Sequence, residues 1–435
     1  MRGGAWGLAA LCAGLAACGG VSAQQIGGGA PAPGAARAYN VDANLQVEHE
    51  TNLVRASAVI AARGNVTPAD TVYAPSVVFN FVQPLGRQAL YLNGTAAYLF
   101  HQKNKTLDNE QVNLSGGAVL VAGPCHVVLT GGYVRGRNEL NNPAARLPGA
   151  TLNAGPTDTS LTNASETTVF NIQTGQEAGA VLACNPSAGL GIVAQAEEQQ
   201  TSNSQSVTSN GRFRTYVGSA GISYQRPSLG ALSLVANYSR TNVQGQSQPA
   251  LTPGGFETVG ASLSYTRQLG GRIELSVTGG YVTAHILNPP AILAGAGQPS
   301  DFSGTTYAAE ASFRATSRLQ AKASLQRQIS PTLLTGNSYE LQTSYDLGLN
   351  YQIGSRIAVS LVGNRQQSEV NGVVTVPLAA TLTNSLVNSL SVSVGYKMSR
   401  RLSFRLVASR ETRTADNPDF NYTNDRVGLS LNATL

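Results

Sequence analysis

From Tyr339 to Gln352 the chain alternates without a break. Tyr339, Leu341, Thr343, Tyr345, Leu347, Leu349 and Tyr351 hold one parity, and Glu340, Gln342, Ser344, Asp346, Gly348, Asn350 and Gln352 hold the other. Side chains of a β-strand alternate between two faces, so this segment has one apolar and one polar face. After Gly354-Ser355-Arg356, a tight-turn sequence, Ile357, Val359 and Leu361 resume the pattern against Ala358, Ser360 and Asn364. Each arm of this hairpin exceeds the roughly 5–6 residues usual for globular strands. Each also meets the roughly 9–11 residues that a tilted strand needs to cross a bilayer.

The same pattern starts at Tyr39, with Val41, Ala43, Leu45 and Val47 against Asp42, Asn44, Gln46 and Glu48, and recurs to Leu435. Short connections fall at Pro84-Leu85-Gly86, Gly123-Pro124-Cys125, Asn185-Pro186-Ser187, Pro227 to Gly230, Leu269-Gly270-Gly271, Thr316-Ser317-Arg318, Gly354-Ser355 and Ser399-Arg400. Longer connections lie between them, the fullest at about 138–165, 242–255, 287–304, 370–383 and 415–421. Eight turns and nine loops predict an all-β, antiparallel up-and-down transmembrane barrel of about 18 strands, with both termini on the short-turn side. In such barrels the short turns face the periplasm and the long loops face outward. Tyr98, Phe100, Tyr133 and Tyr216 fall near loop-side strand ends, and Tyr224, Tyr265, Tyr351 and Tyr396 near turn-side ends, as interfacial girdles would.

Composition supports a membrane environment. Of the 435 residues only 12% are charged, about half the roughly 25% of soluble proteins. After residue 25 no apolar run approaches the roughly 18 residues of a spanning helix. Among the polypeptide structures that satisfy their own backbone in lipid, that leaves the closed sheet. The net charge of +6 could suggest nucleic acid, but the positions of the cations argue against it. Arg87, Arg226, Arg272, Arg318, Arg356, Arg400 and Arg401 lie at short turns, and Arg55, Arg63, Lys103, Lys105, Arg135 and Arg137 near the opposite strand ends. There they are expected to meet lipid head groups. The lumen parity mixes both signs. Glu310, Arg314, Lys322, Glu340, Asp346, Lys397 and Arg405 are the candidate lining, with Asp42, Glu48, Glu274, Glu411, Arg413 and Arg426 on the same parity.

The first 23 residues read as an export signal: Arg2, an apolar run from Ala5 to Ala17, and the small-residue site Val21-Ser22-Ala23. Leu15-Ala16-Ala17-Cys18 allows the alternative of lipidation at Cys18. Residues 24–38 read as a flexible periplasmic leader and 39–435 as the barrel. The mature cysteines, Cys125 and Cys184, both sit at short turns in an oxidising compartment. A disulfide between neighbouring turns is the preferred reading, and two free thiols the alternative.

No sequence pattern supports a metal site, a cofactor or a phosphate loop. His49, His101, His126 and His285 are each isolated. Of these only His101 and His285 lie where an outer-membrane hydrolase would hold a base, and no nucleophile motif accompanies them. The apolar loop pieces 286–296 and 373–382 could fold inward as a constriction or pack on neighbouring loops.

Two short motifs carry resemblances. In the last strand Arg426, Gly428, Leu431 and Ala433 are spaced as in the C-terminal assembly signal of outer-membrane barrels, but Leu435 stands where that signal ends on an aromatic. At the outer end of the first strand, Asn52-Leu53-Val54-Arg55 resembles a motif of the β-barrel porins associated with exopolysaccharide export. A polar strand end with a snorkelling arginine is the plain alternative. The resemblance implies a non-enzymatic outer-membrane channel for secreted polysaccharide. It also implies lipid, lipopolysaccharide, the barrel-assembly machinery and periplasmic polysaccharide-export proteins as partners. A porin for small polar solutes is the main rival; an outer-membrane enzyme is a weaker one.

Overall fold

The computed structural model describes residues 36–53, 55, 66–137, 172–184, 188–204, 209–246, 255–287, 301–332, 338–371, 384–416 and 418–435, and a few side chains at strand ends lie outside that description. The proposed export signal, Cys18 and nearly all of the leader fall outside it too. The strands are β1 (Ala38–Glu50), β2 (Asp70–Leu85), β3 (Gln88–His101), β4 (Asn109–Ala122), β5 (Cys125–Arg137) and β6 (Ile172–Cys184). They continue with β7 (Gly189–Asn203), β8 (Ser209–Arg226), β9 (Gly230–Gln246), β10 (Gly255–Leu269), β11 (Ile273–Leu287) and β12 (Asp301–Arg314). The last six are β13 (Leu319–Thr332), β14 (Ser338–Ile353), β15 (Ile357–Asn371), β16 (Asn384–Lys397), β17 (Leu402–Ala415) and β18 (Tyr422–Thr434). Two single 3-10 turns, Lys105–Leu107 and Pro418–Phe420, are the only other regular structure among the described residues.

Each strand pairs antiparallel with its sequence neighbours, and β18 pairs with β1 from Asp42↔Thr434 to Glu50↔Arg426. The sheet therefore closes as the eighteen-stranded barrel that the alternation predicts. Closure removes the free edges that would otherwise leave backbone donors and acceptors unpaired in lipid. No described helix is long and apolar enough to cross a membrane, so any crossing is made by strands.

Side-chain parity decides what each face meets. Leu45, Leu92, Leu234, Leu263, Leu347, Leu390 and Leu429 all point outward and are exposed, Leu347 to 53%. An apolar surface of this extent is unstable in water, whereas hydrocarbon matches it. The eight interfacial aromatics proposed from sequence all occupy this outward parity, four toward each end of the strands. Tight turns complete the hairpins where glycine permits positive φ, as at Gly270 and Gly271 (58° and 70°) between β10 and β11.

Among the described residues the interior holds small apolar clusters. Val82, Ala89, Tyr91 and Val119 form one on the lumen face of β2–β4, and Ala183, Val193 and Val235 another. Tyr91 lies over Gly117, where a Cβ would come within 2.9 Å of the phenol oxygen. Cys125 and Cys184 are register partners at the turn ends of β5 and β6, and their sulfurs are bonded.

Candidate functional site: the lumen and its outer mouth

β1 ends at Glu50 on the lumen parity, and the first loop turns back into the barrel. The Thr51 amide donates to the Asp425 carbonyl (3.0 Å) and the Asn52 amide to Asn424 Oδ1 (2.9 Å). Arg55 follows at φ 49°, the only non-glycine positive φ among the described residues. The left-handed region costs an ordinary residue about 1–2 kcal/mol, so other contacts must hold it there. They do: Arg55 Nη2 lies 3.3 Å from Glu50 Oε2, and Nε lies 3.2 Å from Glu411 Oε1. Asn424 Nδ2 donates to Glu50 Oε2 (2.8 Å) and the Tyr422 hydroxyl to Glu411 Oε1 (2.7 Å). Arg55 is 3% exposed, which corrects the expectation that it meets head groups or snorkels. A buried arginine between two carboxylates is held because separating such a pair costs roughly 3–5 kcal/mol.

The Asn52, Leu53 and Arg55 motif therefore works as one device. Asn52 docks on Asn424, Arg55 bridges β1 and β17, and Leu53 packs with Val66, Val72 and Leu107. Val72 and the adjoining Leu99 are lumen-facing, so Leu53 and Val66 of the first loop pack on the inner wall of β2 and β3 at the outer mouth. A second node fixes its far end. Buried Asp70 accepts from the amides of Thr71 (2.7 Å), Lys103 (2.9 Å) and Asn104 (3.0 Å) and from Asn104 Nδ2 (2.8 Å). Asn104 in turn takes the Thr67 amide at 2.8 Å. Of the first loop, Leu53, Arg55 and Val66 are thus the described residues packed inside the mouth. Residues 288–296 and 373–382 lie outside the described residues.

Two of the isolated histidines do have carboxylate partners. His101 Nδ1 is 3.3 Å from Asp108 Oδ1, and His285 Nδ1 bonds to Asp301 Oδ1. Neither is placed for catalysis on a solute in the lumen. His101 has no exposed surface, and His285 with Asp301 occupies the outward parity.

Below the mouth the lining is polar. Lys322 Nζ is 3.0 Å from Glu310 Oε1, both half-exposed, while Asp346 accepts from Ser324 Oγ (3.1 Å) and Asn364 Nδ2 (2.7 Å). Gln328 donates to Gln342 at 2.6 Å, and Ser360 and Ser393 bond at 2.7 Å. Arg314, Lys397 and Arg405 occupy the same face near the turn end. Glu340 shares the parity opposite Ser330 and Val370, but its side chain is outside the described residues. The structure adds three lumen acids that the sequence reading passed over. Glu50 continues the parity of Glu48, and Glu177 and Glu197 sit on adjacent strands with Gly179 opposite Glu197. The alternation of Val193, Gln195 and Glu197 with Ile192, Ala194 and Ala196 was the signal for the third.

In the last strand, Arg426 Nη1 pairs with Glu48 Oε1 at 3.1 Å and Nε donates to Ser409 at 3.1 Å. Gly428 lies beside the same Glu48 on the lumen face, while Leu431, Ala433 and Leu435 continue the outward parity. A Cβ at Gly428 would meet only ordinary contacts, the nearest at 3.6 Å.

Residues 252–435, which contain β10–β18, match the protein family described as "Putative beta-barrel porin 2". No curated protein matches the chain. Among solved structures the chain is similar to the FrpB iron transporter (F3-3 variant) from Neisseria meningitidis, with a TM-score of 0.47 and 10% identity over 90% of this chain and 66% of that one. It is also similar to OccK2 (OpdF) from Pseudomonas aeruginosa, with a TM-score of 0.45 and 12% identity over 91% of this chain and 98% of that one. The siderophore receptor PirA from Pseudomonas aeruginosa gives a TM-score of 0.43 and 12% identity over 92% and 81% of the two chains. The chain thus spans slightly less than two thirds of the length of FrpB.

Proposed function

We propose that this protein is a non-enzymatic outer-membrane channel through which a secreted polysaccharide crosses passively. The observation that carries the reading is the lumen lining: Ser, Asn and Gln side chains hydrogen-bonded to one another and to Asp346, with Lys322 and Glu310 paired. Such a wall exchanges hydrogen bonds with sugar hydroxyls at little net gain, so a hydrated chain can move along it. An eighteen-stranded barrel is wide enough for an aqueous path. The Asn52, Leu53 and Arg55 motif, with its likeness to porins associated with polysaccharide export, supports the cargo. The same reading places the chain in the outer membrane after removal of an export signal. There it would contact lipopolysaccharide and work with the assembly machinery and periplasmic export proteins.

A porin for small polar solutes is the second reading. The inward packing of Leu53 and the burial of Arg55 favour it, because side chains held inside the mouth suit a small cargo better than a bulky chain. The deciding measurement is secreted against cell-retained polysaccharide in a strain lacking this protein. The export reading expects secretion to fall while other outer-membrane proteins remain normal. Unchanged secretion combined with lost small-solute uptake would transfer the assignment to the porin.

A further inference from the structure

Four successive hairpins share one feature at the short-turn mouth. The residue immediately before β11, β13, β15 and β17 is an arginine in each case: Arg272, Arg318, Arg356 and Arg401. Their backbones continue the sheet. The carbonyls of these four accept from the amides of Arg314, Gln352, Lys397 and Thr434 respectively, each at 2.8 Å. Register fixes the side on which each arginine falls. Ile273 pairs with Phe313, so Arg272 stands opposite lumen-facing Arg314; Ile357 pairs with Tyr396, so Arg356 stands opposite lumen-facing Lys397. Arg318 and Arg401 fall opposite Gln352 and Thr434 by the same count. Directly opposed residues share a face, so all four belong to the lumen side of the rim. The sequence expectation put these arginines beside lipid head groups, whereas the register sets their backbones on the lumen face.

We infer that this half of the mouth is an anion-receiving arc, suited to a carboxylate-, sulfate- or phosphate-bearing polymer that enters the lumen from the short-turn side. The inference rests on the channel reading and gives its cargo a charge. Successive arginines are two strands apart, about 10 Å across the sheet. None of the four has an ion pair among the described residues. Like charges set directly opposite destabilise a sheet, yet Arg356 and Lys397 are so placed. Farther in, Arg405 carries the positive face onward with no carboxylate within 4 Å. Carboxylates on the same rim include Glu274, one lumen position above Arg272, Asp42, which accepts from Thr434 Oγ1 at 2.6 Å, and the α-carboxylate of Leu435 beside Thr434. Across the barrel, the described turn ends of β2–β9 hold only Arg87 and Arg226 as cations. A one-signed arc at an aqueous opening raises the local concentration of an oppositely charged solute.

The test uses the full chain in planar lipid bilayers, with oligogalacturonate as the anionic probe and neutral dextran of similar size as control. Oligogalacturonate on the short-turn side should block current at roughly tenfold lower concentration than on the loop side. Dextran should show no such difference. The preference should vanish in the Arg272→Gln/Arg318→Gln/Arg356→Gln/Arg401→Gln variant, with heat-modifiable gel migration showing that it is folded. It should also fade near 1 M salt, where the Debye length shrinks to about 3 Å. Equal block from both sides, or an unchanged variant, overturns the proposal. If the four substitutions abolish only binding to phosphatidylglycerol vesicles, the arc is a lipid contact and the proposal fails. If the wild type conducts no current, the channel reading falls. Calorimetric binding of oligogalacturonate to wild type and variant in detergent then decides the arc: loss of binding in the variant supports it, and equal binding overturns it.

Discussion

Arg55 and Glu411, 356 positions apart in the chain, meet at 3.2 Å inside the outer mouth of the barrel. Through this contact the first loop is fastened to β17, across the seam where β18 closes on β1. Arg55→Ala would remove the shared partner of Glu50 and Glu411 and leave two buried carboxylates together. The expected loss is roughly 3–5 kcal/mol of stability at the loop end. It should appear as a lower temperature for heat-modified gel migration and as a more open, noisier single-channel current. Unchanged conductance with unchanged melting would show that the latch does not hold the loop.

Orientation of the wall can be tested by placing one charge on either face of β14. Leu347 faces outward near mid-strand, while Ser344 faces the lumen. Leu347→Arg should cost about 2–4 kcal/mol of folding free energy in lipid vesicles. Ser344→Arg should fold nearly as well as wild type and change conductance instead. Equal costs in denaturant titrations would contradict the assigned parity.

Gly117 on the lumen face and Gly279 on the outward face contrast a crowded position with an open one. A Cβ at Gly117 would fall 1.9 Å from the Leu129 carbonyl oxygen and 2.9 Å from the Tyr91 hydroxyl, whereas one at Gly279 meets nothing within 4 Å. Gly117→Ala should therefore destabilise by about 1–3 kcal/mol through overpacking. Gly279→Ala should stay within about 0.5 kcal/mol of wild type, as open surface substitutions do. Urea unfolding from vesicles reads both.

The Cys125–Cys184 bond spans 59 positions that include all of β5, β6 and the long loop between them. Closing a loop of that order stabilises by about 2–4 kcal/mol, chiefly by restricting the unfolded chain. The Cys125→Ser/Cys184→Ser variant should still assemble, because the ladder from Cys125↔Cys184 to Arg137↔Ile172 does not depend on the bond. Its unfolding midpoint should drop, and added reductant should lower the wild type to match. No effect of reductant on the wild type would argue against the bond.

The strands, their faces and the turn positions were legible in the amino-acid order because a period of two is a local property. The parity of Leu347 follows from its immediate neighbours, and Gly354-Ser355 declares its own turn. Lumen charges such as Glu310, Lys322 and Asp346 were readable for the same reason. Glu177 and Glu197 were readable in principle, from the alternation around them. What could not be read was any relationship across the closed ring. Arg55 finds Glu411 only after eighteen strands have curled round to bring β1 beside β18, and nothing within the first loop signals that its arginine turns inward. His101 reaches Asp108 through a turn whose course depends on how Asp70 gathers the neighbouring loops. The mouth arginines show the division most plainly. Their place in short turns is written in the chain, but which side of the wall they serve depends on the stagger between one hairpin and the next. That stagger is set by the closure of the whole barrel. The sequence by itself determined a membrane-type barrel, its strand count and the face of each strand residue. Tertiary structure alone decided which side chains meet at the mouth and where charge gathers around it, because those depend on contacts between residues hundreds of positions apart.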